Sequence, residues 1–199
     1  MFYLLGYTSY NFLIGSFSYW GPGYLIETYN YTSSDASYVF GGITVLGGVF
    51  GSLTGGLLLD KLKNKYDISK LKLGNYIILI NLVLGYICCD LIFRINNIIV
   101  FFVLFSIAEF CLFALVGPIN SMLLWSMEKD KYTDKLNNEI KVIGCAISIC
   151  MIHLLGDVPS PILTGYIYDI TGDWNMTFFI ISQFLIIGII SWTITIFMK

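Results

Sequence analysis

The chain has 199 residues, 57% of them hydrophobic and only 12% charged. A soluble domain carries about twice that charged fraction, so the composition points to an integral membrane protein. The formal net charge is −2, and no basic patch interleaves with aromatic residues as a nucleic-acid-binding groove requires.

Six apolar runs are each long enough for the about 20 residues that cross a bilayer core. They are Phe2–Ile26, Ala36–Leu59, Leu73–Phe93, Ile98–Met127, Val142–Tyr168 and Asn175–Met198. They predict an all-α membrane protein, with no soluble domain or long linker in residues 1–199. The first run has no basic start and no small-residue cleavage site, so it reads as a span and not a signal peptide. Thr8, Asn11, Gly15, Ser18 and Pro22 fall on one side of it. Gly21-Pro22-Gly23 is expected to break it near its outer end. In the second run Gly47, Gly51 and Gly55 recur every four residues and make a flat strip. Another helix can approach closely there, either sliding or packed statically. The fourth run, about 45 Å of helix, must tilt or protrude, and Gly117-Pro118 interrupts it. Pro159 and Pro161 interrupt the fifth. The carbonyls that these prolines free are tolerated at membrane depth where protein or water satisfies them.

The loops give an orientation. Lys61, Lys63, Lys65, Lys70 and Lys72 follow the second run, Lys129, Lys131, Lys135 and Lys141 follow the fourth, and Lys199 ends the chain. Arg94 alone lies on the other side. This asymmetry predicts that both termini are cytoplasmic. The sequons at Asn30 and Asn175 fall on the basic-poor side, in agreement.

The second run ends Leu53-Thr54-Gly55-Gly56-Leu57-Leu58-Leu59-Asp60, and the fifth ends Leu163-Thr164-Gly165-Tyr166-Ile167-Tyr168-Asp169. Each is the middle helix of a group of three, and the two finish on opposite sides. Three helices repeated with opposite topology are the signature of secondary transporters.

Four ionisable residues lie within spans: Asp90, Glu109, His153 and Asp157. Asp90 is close to a span end and reads as interfacial. Glu109 and Asp157 lie at equal counts from the outer ends of their spans, about 16 Å deep. His153 and Asp157 share a helical face, which is expected to continue through Ala146, Cys150, Ser160 and Thr164. Glu109 shares its face with Asn120. These stripes, with Asn11 on the first span, are expected to line one substrate or proton cavity. Hydrogen-bond glue between helices is the alternative. The cavity is favoured, because a carboxylate near the midplane costs a few kcal/mol unless paired or protonated. Glu109 or the His153–Asp157 pair is then expected to titrate during turnover. Cys88, Cys89, Cys111, Cys145 and Cys150 lie in apolar runs without metal-site spacing. With one histidine in the chain, no metal and no cofactor are expected.

At these residues the chain resembles the spinster-like transporters of the major facilitator superfamily. HLLGDVPSPILTGYIYD in the fifth span is similar to that family's His-x-x-Gly-Asp-x-x-Ser-Pro signature. AEFCLFALVGPINSMLLW in the fourth and Trp20-Gly21-Pro22 in the first resemble its other segments. Gly56, Leu58, Asp60 and Lys61 match the start of the superfamily's loop motif, but Lys63 stands where a glycine is expected. The resemblance covers the carboxyl-terminal six-helix half, a 3+3 inverted repeat, with the amino-terminal half absent from these residues. It implies alternating access, lysophospholipid or sphingoid substrates, proton coupling, and a lysosomal or plasma membrane. It also implies gating roles for Trp20, Gly21, Pro22, Pro118 and Pro161, with Asp60 and Lys61 latching the cytoplasmic side. The chain is therefore expected not to be an enzyme. The rival expectations are a six-span accessory protein without transport, and an intramembrane hydrolase with a metal held by Glu109, His153 and Asp157.

Overall fold

Caps and prolines decide where these helices start and stop. The computed structural model describes residues 2–65, 69–95, 97–127 and 134–197. Lys129, Lys131 and Lys199, used for orientation, and Met198, the last bound of the sixth run, lie outside the described residues. The first three spans are α1 (Phe2–Tyr29), α2 (Ser33–Lys65) and α3 (Lys70–Ile92). The fourth is α4 (Ile98–Phe113) and α5 (Val116–Met127). The fifth is α6 (Asp134–Ile152), a π turn (His153–Asp157) and α7 (Pro159–Thr171). The sixth is α8 (Trp174–Ser182) and α9 (Phe184–Phe197).

Short polar side chains supply the starts. Asn97 Oδ1 accepts from the Ile99 and Val100 amides and caps α4. Asp173 accepts from the Asn175 amide and caps α8. Each satisfies donors that a helix start leaves free. The α7–α8 corner turns at Gly172 with φ +62°, a left-handed conformation that glycine adopts without a Cβ penalty.

The expected break at Gly21-Pro22-Gly23 does not occur: α1 runs unbroken through Pro22. Pro22 only removes the donor for the Ser18 carbonyl, and the rest of the hydrogen-bonded helix continues on both sides of it. The fourth span does break, at Ala114 and Leu115. Pro118 lacks the N–H that would reach the Ala114 carbonyl. The sixth span, read as continuous, also breaks, at Gln183. There the Gln183 side-chain amide donates to the Phe179 carbonyl at 3.0 Å, competing with the backbone for that acceptor.

The spans pack with the symmetry of a repeat. The first packs on the fifth and sixth, as the fourth packs on the second and third. The third and sixth pack on each other. Exchanging spans one, two and three with four, five and six leaves this pattern unchanged, as inverted repeats require. The glycine strip of α2 is a contact with α4: a Cβ on Gly47 would meet Glu109 Cβ at 2.9 Å, and one on Gly51 would meet the Phe110 carbonyl at 2.6 Å. Phe17, Tyr24, Phe93, Phe101, Phe105 and Phe178 fill the interior towards the Arg94 end.

Among the described residues, five helical stretches are long and apolar enough to cross a membrane: Ser33–Lys65, Lys70–Ile92, Ile98–Met127, Asp134–Thr171 and Trp174–Phe197. The first helix, at 28 residues, has the length, but Ser, Thr, Asn and Tyr residues interrupt its apolar character. The α2 and α6–α7 stretches are the least buried of the five. They expose Val45, Leu46, Phe50 and Leu57, and Val142, Ile147 and Ile162. Apolar surface on this scale belongs against lipid or another protein. The chain is an all-α, multi-pass membrane protein.

Candidate functional site: a groove between the first and fifth spans

Two prolines and a widened turn make the site. Pro159 and Pro161 lack the N–H groups that would reach the carbonyls of Leu155 and Asp157. Just before them the helix widens to a π turn, in which the Val158 N–H donates to the His153 carbonyl at 3.0 Å. Ser160 Oγ donates to the Asp157 carbonyl at 3.0 Å, replacing the donor that Pro161 lacks.

A π turn inserts one extra residue, so the helical faces before and after it fall out of register. This corrects the expected continuous stripe. Ala146, Cys150 and His153 are exposed, whereas Ser160 and Thr164 are fully buried. Thr164 Oγ1 donates to Ser16 Oγ of α1 at 2.9 Å. Asp157 sits at the changeover, half-buried. Glycines let α1 lie directly on the turn: a Cβ on Gly156 would come within 3.0 Å of Asn11 Cβ and of the Thr8 carbonyl. A Cβ on Gly15 would come 3.0 Å from Asp157 Cα.

Beside this contact lies a groove of about 360 Å³ lined by Asn11, Ile14, Gly15, Ser18, Tyr19, Asp157 and Pro161. Tyr19 and Pro161 also line a second groove of about 550 Å³, with Trp20, Ile162, Gly165, Tyr166, Tyr168 and Asp169. The structure therefore brings Asn11 and Asp157 together. His153 accompanies them through an Nδ1 to Asp157 Oδ2 hydrogen bond, with its ring largely exposed. The Asn11 amide donates to the Tyr7 carbonyl at 2.9 Å, which holds its carbonyl end free for the groove.

Glu109 is placed elsewhere. It is 1% exposed, packed under Gly47 of α2, and its Oε2 has no hydrogen-bond partner. Glu109, His153 and Asp157 are not gathered as a metal-binding triad. Asn120 is exposed, and the Tyr7 hydroxyl donates to its Oδ1 at 3.5 Å. The single cavity expected from the sequence thus divides into a groove around Asp157 and a sealed carboxyl at Glu109. Tyr10 is buried on α1. Sequence reasoning passed over Tyr7, although its spacing of four residues to Asn11 was the available signal.

Of the residues assigned to gating, Trp20 is fixed by its Nε1–H, which donates to the Pro161 carbonyl at 2.9 Å. Gly21 is buried under the Phe40 ring, Pro22 is half-buried and Pro118 is buried. Asp60 and Lys61 are exposed at the end of α2, and Asp60 pairs with Lys63 at 2.7 Å. Residues three apart face each other on a helix and adjacent ones do not.

One cluster escaped sequence reasoning. Glu27 Oε2 accepts from the Tyr168 hydroxyl at 2.5 Å and from Trp174 Nε1 at 2.8 Å. The Tyr24 hydroxyl donates to Asn175 at 2.8 Å. The Tyr168 and Trp174 rings stack at 3.9 Å. These contacts tie the end of α1 to α7 and α8. Glu27 lies just beyond the first apolar run, where an end-of-span carboxylate reads as merely solvated.

A sequence profile of the Organic Anion Transporter Polypeptide (OATP) family matches residues 1–94. The chain is similar to the probable sphingolipid transporter spinster homolog 2 of Arabidopsis thaliana, with 32% identity over 98% of this chain and 37% of that protein. Spinster homolog 1 of the same plant is 34% identical over the same shares. Protein spinster homolog 1 of Xenopus laevis is 26% identical over 82% of this chain and 31% of the relative. The chain thus spans about a third of the length of these relatives.

Proposed function

We propose, for a chain whose residues belong to the spinster-like transporters of the major facilitator superfamily, that it is the carboxyl-terminal six-helix half of a secondary transporter of amphipathic lipids. The plant relatives are named as probable sphingolipid transporters, and a lysophospholipid or sphingoid lipid suits the groove. The observation that carries this reading is the groove at the π turn, where Asn11, Ser18 and Asp157 meet on a helix pair of a repeat-symmetric bundle. An interrupted helix that offers a carboxylate to a cavity is how such proteins build a site. In this reading an amino-terminal half supplies the opposing wall, and the protein alternates access between the two sides of the membrane. Both termini are cytoplasmic. Asp157, His153 and Asn11 hold the polar head. Glu109 takes up a proton in the bundle interior, and Asn120, bonded to the Tyr7 hydroxyl, lines the cavity. Trp20, Gly21, Pro22, Pro118 and Pro161 shape the gates, and Asp60 and Lys61 belong to the cytoplasmic latch.

Cysteine scanning in the native membrane tests this. Cysteines at positions 11 and 120 should be labelled alternately from the two sides as substrate is added. Labelling from one side only, unchanged by substrate, would mean that the groove does not alternate, and a non-transporting accessory protein would be left.

A further inference from the structure

The larger groove has a chemistry of its own, and its assignment rests on the transporter reading above. Tyr19 and Trp20 meet edge to face, with centroids 5.0 Å apart and planes inclined by 70°. Such a pair forms two walls of a corner. Trp20 cannot swing away, because its Nε1 is bonded to the Pro161 carbonyl and its ring lies on Gly165, where a Cβ would stand 3.1 Å from it. Tyr166 of α7 lines the same space, and Asp169, three residues on, adds a carboxylate on the neighbouring face. The adjoining groove contributes Asp157. Among the described residues, no lysine or arginine lines either groove. Elsewhere the fold already places cations on rings, with Arg94 4.6 Å from Phe179 and Lys70 5.3 Å from Trp125.

Ring faces carry negative potential, and the Asp169 carboxylate adds to it. An amphipathic ligand with a negatively charged head alone would be repelled here. We propose that the corner formed by Tyr19, Trp20, Tyr166 and Asp169 is a subsite for an ammonium group on an amphipathic ligand. The group is either the quaternary ammonium of a choline head or the primary ammonium of a sphingoid base. The rest of the head then points along the groove towards Asn11 and Ser18.

The test is competition binding to the native protein in detergent micelles with two matched pairs of probes. Lysophosphatidylcholine is compared with lysophosphatidylglycerol of the same chain, and sphingosine with N-acetylsphingosine. The ammonium member of at least one pair should bind about tenfold tighter, the size of a cation–aromatic contact in a partly desolvated corner. A preference in the first pair alone identifies the choline head, and in the second alone the primary amine. Trp20→Leu, Tyr166→Leu and Asp169→Asn should each bring the preference close to unity. Tyr166 and Asp169 are exposed, so Tyr166→Leu and Asp169→Asn test the corner without disturbing the packing. Equal affinities within both pairs would overturn the subsite, as would a preference that survives these substitutions. An aromatic belt that merely anchors the helix at the membrane surface predicts that result. Uptake into proteoliposomes is scored separately. Uptake without head-group preference removes the subsite and leaves the transporter, whereas head-group preference without uptake leaves the subsite and removes the transporter.

Discussion

Thr164 of α7 donates a hydrogen bond to Ser16 of α1 at 2.9 Å, and both side chains are fully buried. That bond lies two turns beyond the π turn, and it fixes the rotation of α7 against α1. Because the π turn shifts the register, Thr164 can face α1 while His153 faces away from it. The groove owes its shape to that offset.

Asp157 is the residue that this geometry presents to the groove. Asp157→Asn preserves size and most hydrogen bonding and should leave expression and thermal stability within about 0.5 kcal/mol. Lipid uptake by the native protein should fall at least tenfold. Wild-type uptake by a well-folded variant would remove Asp157 from the site.

Glu109 sets function against stability. Its buried Oε2 has no partner, and a buried polar atom without a hydrogen bond costs about 1–3 kcal/mol. Glu109→Leu should therefore raise the melting temperature in detergent, and uptake should be lost. Glu109→Gln and His153→Ala should flatten the pH dependence of uptake. If both variants keep the wild-type pH profile, neither group carries a coupled proton.

The glycine contacts predict a contrast. Gly51→Leu drives a side chain into the Phe110 carbonyl and the Phe113 side chain of α4 and should cost about 1–3 kcal/mol or more. Gly41→Ala adds a methyl group where nothing lies within 4 Å. Within a helix it should be neutral or stabilising by up to about 1 kcal/mol. Thermal unfolding followed by fluorescence of a thiol probe would separate them, and equal effects would show that the strip is not a packed contact.

Glu27 joins three helices through two donors. Glu27→Ala should lower stability by about 1–2 kcal/mol, discounted for its exposed position. Tyr168→Phe removes one of the two bonds and should cost about half as much. A double-mutant cycle checks the coupling: strictly additive losses would mean that the clasp contributes nothing as a unit.

Much of this protein was legible in the residues alone. Apolar runs against lysine-rich loops require membrane helices, because hydrocarbon cannot solvate a backbone or a charge. The spacing of Gly47, Gly51 and Gly55 told of close approach, since a four-residue period stays on one helical face. Pro118, Pro159 and Pro161 told where donors would be missing. Tertiary structure decided what the chain does with those missing donors. It kept α1 unbroken through Pro22, broke the fourth span at Ala114, and widened the fifth into a π turn. At the π turn the freed Asp157 carbonyl is satisfied locally, by Ser160 Oγ, but which way each half of the span then faces depends on packing against helices distant in sequence. The same is true of Glu109 and Asp157. Equal depth along two helices was readable from counting. Their separation, one sealed beneath Gly47 and the other open beside Asn11, was not, because depth is set along a helix and direction is set by its rotation against its partners.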